Sequence, residues 1–151
     1  MKQKPAASDV TTMLIQANGM QFVADVGGPA TGELVVMLHG FPQTRYTWRR
    51  ELSHLAAHGY RVCAYDQRGY SPGARPEGID PYAVEFLVND VLAVVETLGY
   101  EKFHLVGHDW GGGVAWATAL LNEVRVLSLS IISRPHPRAF GRALKEDPEQ
   151  S

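Results

Sequence analysis

Gly107-His108-Asp109-Trp110-Gly111-Gly112-Gly113 joins two apolar runs, and its reading decides the fold. The run before it, Phe103-His104-Leu105-Val106, is short and rich in β-forming residues, which suits a buried strand. The run after it, Val114 to Leu121, reads as a helix. A strand that becomes a helix within a few residues needs small residues beside the turn, because side chains there collide with neighbouring backbone. Gly107, Gly111 and Gly112 supply that room. The spacing matches the Gly-x-nucleophile-x-Gly elbow, in which a strained turn exposes one reactive side chain above a helix N-terminus. Asp109 occupies the reactive slot, where many such turns carry serine.

Phosphate-binding glycine loops have fixed spacings that this stretch does not meet. A dinucleotide fingerprint needs glycine where Asp109 stands, and a P-loop starting at Gly107 needs lysine where Gly113 stands. A glycine turn with an ordinary capping aspartate stays open on this motif alone, since Asp is a favoured N-cap. A second motif adds to the first. Leu34-Val35-Val36-Met37-Leu38 is another buried-strand pattern, and it runs into His39-Gly40-Phe41-Pro42 ahead of a helix expected to start near Thr47. The loop after that strand is where an elbow takes the other half of an oxyanion hole. Backbone N–H groups at Phe41 and Trp110 can then converge on one oxygen.

With 151 residues, 45% of them hydrophobic, and a formal charge of −2, the chain can bury a single core and carries no basic signature for nucleic acid. One domain is expected over residues 1–151. After Lys2 and Lys4 come Pro5, Ala6, Ala7, Ser8 and Asp9, so no apolar signal segment follows, and no later run approaches membrane-spanning length. The expected address is cytoplasmic. Cys63 lies in the apolar run Val62-Cys63-Ala64-Tyr65 and is expected to be a buried structural thiol.

Strand-like runs fall near residues 12–17, 20–26, 33–38, 60–65, 102–107 and 126–132. Asn18-Gly19 between the first two is a hairpin signal, because both residues tolerate positive φ. Thereafter strands alternate with helices, which predicts an α/β fold with a mostly parallel, doubly wound sheet that opens with an antiparallel hairpin. A helix is expected from Tyr82 to Leu98, with Val84, Leu87, Val88, Val91, Val95 and Leu98 on one face, Asp80 as cap, Pro81 in the first turn and Gly99 as stop. Another carries Trp48, Leu52, Leu55 and Ala56 and ends at Gly59.

Taken together, His39-Gly40-Phe41-Pro42, Asp66-Gln67-Arg68-Gly69-Tyr70-Ser71, Gly107-His108-Asp109-Trp110-Gly111-Gly112 and Pro135-His136-Pro137 carry a resemblance that runs from Met20 onward. The chain resembles the first half of an α/β-hydrolase of the epoxide hydrolase branch. The resemblance implies that Asp109 is a nucleophile, that the amides of Phe41 and Trp110 form the oxyanion hole, and that His39, Gly40, Pro42, Gly107, His108 and Gly111 shape the two turns. No cofactor or metal is implied. The implied partner is a small epoxide or related electrophile, with no role for nucleic acid or membrane. A carboxylate, with an ordinary pKa of about 3.9, is already ionised at neutral pH and attacks a saturated carbon without a base. Ring opening by Asp109 leaves an alkyl-enzyme ester, and water then hydrolyses it to a diol.

In that branch cap-domain tyrosines assist the first step, and a histidine oriented by a second acid assists the second. Nucleophile, acid and histidine follow one another in the chain, yet few residues remain after Asp109. His136 comes too early to be that base and reads as a loop histidine fixed between prolines. Residues 134–151 are expected to lead into an absent cap domain, which makes the chain an incomplete hydrolase. A sheet that stops after its sixth strand leaves an open edge, so self-association or a complementing C-terminal half is expected.

Two alternatives accompany this reading. A haloalkane or haloacid dehalogenase-like hydrolase differs at Phe41, where haloalkane dehalogenases usually carry a halide-binding amide, and at Trp110, where fluoroacetate dehalogenases favour arginine. A catalytically incomplete remnant would act as a binding or assembly module. His54 and His58, at i, i+4 spacing, read as a solvated helix face in preference to a metal pair. Asp66 and Arg68 read as a loop-fixing ion pair.

Overall fold

A computed structural model describes residues 9–146. The strands are β1 (Thr11–Ala17), β2 (Met20–Gly27), β3 (Leu34–Leu38), β4 (Arg61–Tyr65), β5 (Phe103–His108) and β6 (Val126–Ile132). The helices are α1 (Arg49–Ala57), α2 (Val84–Thr97), α3 (Trp110–Leu121) and α4 (Pro137–Glu146). Sheet order is β1-β2-β4-β3-β5-β6. β3 pairs in parallel with β4 and β5, and β5 with β6, while β2 pairs antiparallel with β1 and β4. The mostly parallel α/β architecture with an opening hairpin is therefore present. Asn18 and Gly19 both take positive φ at that hairpin, the conformation its two-residue turn requires.

β3 is buried along its whole length because both faces of the sheet are covered. Leu34, Val36 and Leu38 pack with Val91, Val94 and Val95 of α2 and with Val114 and Ala115 of α3. Val35 and Met37 point the other way, toward Trp48, Leu52 and Ala56. Each fully buried aliphatic side chain of this kind stabilises the fold by about 1.5–3 kcal/mol. Cys63 sits in β4 inside the first cluster, where burial pushes its thiol up to about 12, so it packs as a small apolar residue.

Three local expectations are corrected. Residues Asp80–Tyr82 form a separate 3₁₀ turn, Ala83 is extended at φ −61°, ψ 151°, and α2 begins only at Val84. Asp80 therefore does not cap α2. The Pro81 carbonyl accepts a hydrogen bond from Arg68 Nη1 at 3.0 Å, which anchors this turn to the loop after β4 and away from the helix axis. Asp66 and Arg68 do not pair with each other. Arg45 bonds Asp66 at 2.7 Å, and Arg68 grips Asp90 of α2 through two 2.7 Å bonds, because the loop after β4 sends the two side chains in different directions. The elbow helix is also longer than expected: α3 starts at Trp110 and includes the glycines.

Gly99, with positive φ, follows α2 and donates to Glu96 O, as a C-terminal glycine should. At the other side of the sheet, β6 pairs with β5 alone among the described residues. Leu127 and Ile132 on it, and Leu121 and Val124 beside it, stand exposed, Val124 by 77%. No helix among the described residues is long and apolar enough to cross a membrane.

Candidate active site

The elbow is built by close approach of backbone. A side chain at Gly111 would strike the carbonyls of Leu38 and His39, so only glycine lets α3 start against the end of β3. Asp109, between β5 and α3, takes φ 52° and ψ −118°. A non-glycine residue held there costs about 1–3 kcal/mol unless its surroundings fix it, and such strain gathers at functional sites. The Asp109 N–H donates to Ile132 O at 3.2 Å and its carbonyl accepts from Gly113 N–H at 3.1 Å, so both main-chain groups are held.

The loop after β3 meets this turn. Phe41 N–H donates to Asp109 Oδ1 at 3.0 Å. A side chain at Gly40 would come within 2.6 Å of Asp109 Cβ, which explains the glycine ahead of Phe41. The amide of Phe41, and after it that of Trp110, holds the Asp109 carboxyl below the ordinary aspartate range. The charges of His108 and Arg134 act in the same direction, while partial burial opposes them. Asp109 is accordingly a carboxylate at neutral pH. Phe41 and Trp110 are themselves 67% and 61% exposed, so the turn opens to solvent. The Phe41–Pro42 peptide is cis.

Beside the carboxylate lies a cleft of about 420 Å³ walled by His39, Gly40, Phe41, Tyr70, Trp110 and Val114 among others. Most of these walls are apolar or aromatic, which suits a small, weakly polar ligand. Tyr70 packs edge-on against His39, with ring centroids 4.6 Å apart. Burial, and then the Asp109 charge, pushes the Tyr70 phenol above its ordinary value, so it stays protonated.

His39 and His108 are each held by hydrogen bonds beside the two turns. The Gln67 N–H donates to His39 Nε2 at 3.1 Å, which leaves the ring proton on Nδ1 to donate to Gly40 O at 2.9 Å. Burial lowers the pKa of His39 and favours that neutral form. Gln67 also donates through Nε2 to His39 O at 2.6 Å. His108 Nδ1 lies 3.0 Å from Gln43 Oε1, an acceptor, so His108 is the donor there. The same Gln43 oxygen accepts from Gly40 N–H at 3.2 Å. His136, after β6, accepts from Arg138 N–H at 3.2 Å and packs edge-on against Trp116 at 4.7 Å.

Gln43 and Arg134 were not singled out in the sequence, and Gln67 and Tyr70 entered only as members of the motif of residues 66–71, with no role of their own. Gln43 joins the two loops, and its only sequence signal is an amide three residues after a glycine. Arg134 places its guanidinium carbon 5.8 Å from the Trp110 ring centroid. His54 and His58 are exposed, with ring centroids 4.4 Å apart, and His58 Nδ1 bonds His54 O. Among the described residues no group of three or more histidine, cysteine, aspartate or glutamate side chains is placed to hold a metal ion.

A family model described as the alpha/beta hydrolase fold matches residues 33–151. The chain is 39% identical over 131 residues to the AB hydrolase superfamily protein YfhM of Bacillus subtilis, covering 87% of this chain and 46% of that one. It is 38% identical over 130 residues to Epoxide hydrolase A of Mycobacterium tuberculosis, covering 85% and 40%. Among solved structures, Epoxide Hydrolase A from Mycobacterium thermoresistibile superposes with a TM-score of 0.80 at 34% identity, covering 92% of this chain and 46% of that one. Epoxide hydrolase VrEH1 from Vigna radiata gives 0.79 at 33% identity, covering 89% and 46%. The chain thus spans less than half the length of these relatives. Elbow, sheet order and family match agree, and the chain belongs to the α/β-hydrolase fold family, among relatives that include epoxide hydrolases.

Proposed function

We propose that Asp109 is the nucleophile of an epoxide-opening hydrolase site. The observation that carries this reading is the 3.0 Å bond from Phe41 N–H to Asp109 Oδ1 on a turn held at positive φ. That bond makes the two carboxylate oxygens unequal. The oxygen that attacks becomes the ester oxygen, and Oδ1 remains as the ester carbonyl against the Phe41 amide, with the Trp110 amide also directed at the carboxyl group. When water later adds to that carbonyl carbon, the developing negative charge falls on Oδ1, where the donors already stand. With serine in this slot, the oxyanion would belong to the substrate. With aspartate it belongs to the enzyme, which accounts for a hole occupied by the resting nucleophile. The similarity to proteins named epoxide hydrolases supports an epoxide as the electrophile.

Water activation is a separate requirement. His39 spends both ring nitrogens on Gly40 and Gln67, His108 is held by Gln43, and His136 packs on Trp116. None of these three is placed as a base toward the Asp109 ester, so this chain alone is expected to alkylate faster than it turns over. Incubation with styrene oxide followed by intact-mass measurement tests the reading. One substrate mass should be added to the chain and none to Asp109→Asn; an equal gain in both would reject Asp109 as the nucleophile.

A further inference from the structure

Arg134 leaves β6 at the point where α3 begins, and its side chain lies across the first turn of that helix. A side chain at Gly112 would meet Arg134 Cβ at 3.0 Å, and one at Gly113 would touch its Nε at 3.8 Å. Its guanidinium carbon stands 5.8 Å from the centre of the Trp110 ring, on the residue next to Asp109. Three other arginines near the sheet are committed to carboxylates, Arg45 to Asp25 and Asp66, Arg68 to Asp90, and Arg125 to Glu96, while Arg61 of β4 donates to the Gly28 carbonyl. The Arg134 guanidinium forms no ion pair among the described residues. Its main-chain carbonyl accepts from Trp116 Nε1 at 3.2 Å, which fixes the backbone and leaves the cation outside.

Arg134 also borders open space on the side away from Trp110, as the one cation of a separate cleft. That cleft, of about 390 Å³, is lined by Ser133, Arg134, Pro135, Pro137, Phe140 and Gly141. A guanidinium over the ring of the residue next to Asp109 offsets part of the repulsion that an anionic ligand would meet from that carboxylate, and its planar fork matches a second carboxylate.

We propose that Arg134 is the anion-binding residue of the Asp109 site and that its preferred electrophiles are small epoxides bearing a carboxylate on the ring. The inference rests on Asp109 as the nucleophile. An Asp109 oxygen forms a bond to a ring carbon as that carbon's bond to the ring oxygen breaks. The freed alkoxide takes a proton from water, which leaves a hydroxyalkyl ester whose carboxylate faces Arg134.

Glycidate and glycidol share the three-carbon epoxide skeleton and differ in carrying a carboxylate or a hydroxymethyl group. Alkylation of the whole chain by each, followed by intact mass, gives a ratio of rates. The ratio should favour glycidate in the unaltered chain, fall about tenfold or more in Arg134→Met, and recover in part in Arg134→Lys, as loss of a charge-assisted pair requires. A ratio that Arg134→Met leaves unchanged, or one that favours glycidol at the start, overturns the proposal. Should neither epoxide alkylate, the nucleophile reading fails, and the subsite is decided separately. Cyclopropanecarboxylate, which cannot react, is then titrated against tryptophan fluorescence, with Trp110→Phe identifying the reporter. Saturable quenching that is absent with cyclopropylmethanol and lost in Arg134→Met supports the subsite; equal responses to both ligands reject it.

Discussion

Phe41 donates its main-chain N–H to Asp109 Oδ1 across 68 residues of sequence, at 3.0 Å, and so joins the loop after β3 to the elbow after β5. The adjacent strands β3 and β5 bring those loops together because they run in parallel, with Leu38 opposite Gly107. Both loops thus leave the sheet at the same end, where ligands of parallel α/β sheets bind.

Amide donation by Phe41 and Trp110 stabilises the charged form of Asp109 in the folded chain. Its folded pKa lies below the unfolded value of about 3.9. The resulting stability is present above that value and is lost as pH falls through the lowered folded pKa. Alkylation by styrene oxide should therefore hold its rate from neutral pH down to about pH 4, where an ordinary aspartate is already half protonated. Initial rates of adduct formation across that range check this; a decline beginning well above pH 4 contradicts it.

Gly40→Ala places a methyl group 2.6 Å from Asp109 Cβ. Both loops are fixed by backbone bonds, so relief requires Asp109 to shift from the Phe41 amide. Overpacking of this kind costs about 1–3 kcal/mol. Alkylation should slow by about tenfold or more, the equivalent of some 1.4 kcal/mol. Thermal unfolding and adduct kinetics measured on the same variant separate the two effects.

Arg68 and Asp90 form a fork with both side chains nearly inaccessible, and Asn18 adds a third bond to the Asp90 carboxylate at 2.8 Å. Asp90→Ala leaves a buried guanidinium without its anion and should cost about 3–5 kcal/mol. Glu96→Gln, which breaks the partly exposed pair with Arg125, should cost no more than about 1 kcal/mol. Urea unfolding of the two variants gives the contrast directly.

Gln43 Oε1 is the common acceptor for Gly40 N–H and the His108 ring. Gln43→Ala leaves two donors at the joint between the loops without that partner, at about 1–3 kcal/mol where water does not replace it. Gln43→Glu keeps an acceptor and should retain more of the stability. Melting temperatures of the two variants, compared with the unaltered chain, test this order.

Much of this was legible in the sequence because it depends on local constraints. β6 was read at its observed bounds, Val126–Ile132, since a short run rich in β-branched residues leaves few alternatives. The elbow was legible because glycine spacing reports where backbones must touch, and His39-Gly40-Phe41-Pro42 because it follows a buried strand. Partner choice was not legible. Asp66 turned to Arg45 and Arg68 to Asp90, since those pairs depend on which elements meet in space. The break at Ala83 escaped notice for a similar reason: the carbonyl of Pro81 is claimed by Arg68, a residue from another element. Gln43 carries no periodic or turn signal, and Arg134 gains its meaning only from the nearness of Trp110.

The most direct measurement is site localisation of the covalent adduct. The chain is exposed to styrene oxide, digested, and sequenced by fragment-ion mass spectrometry. The hydroxyalkyl ester is predicted on Asp109, in a single copy per chain and absent from Asp109→Asn. An adduct confined to histidine, lysine or cysteine side chains, with Asp109 unmodified in folded protein, would contradict the assignment of Asp109 as the nucleophile.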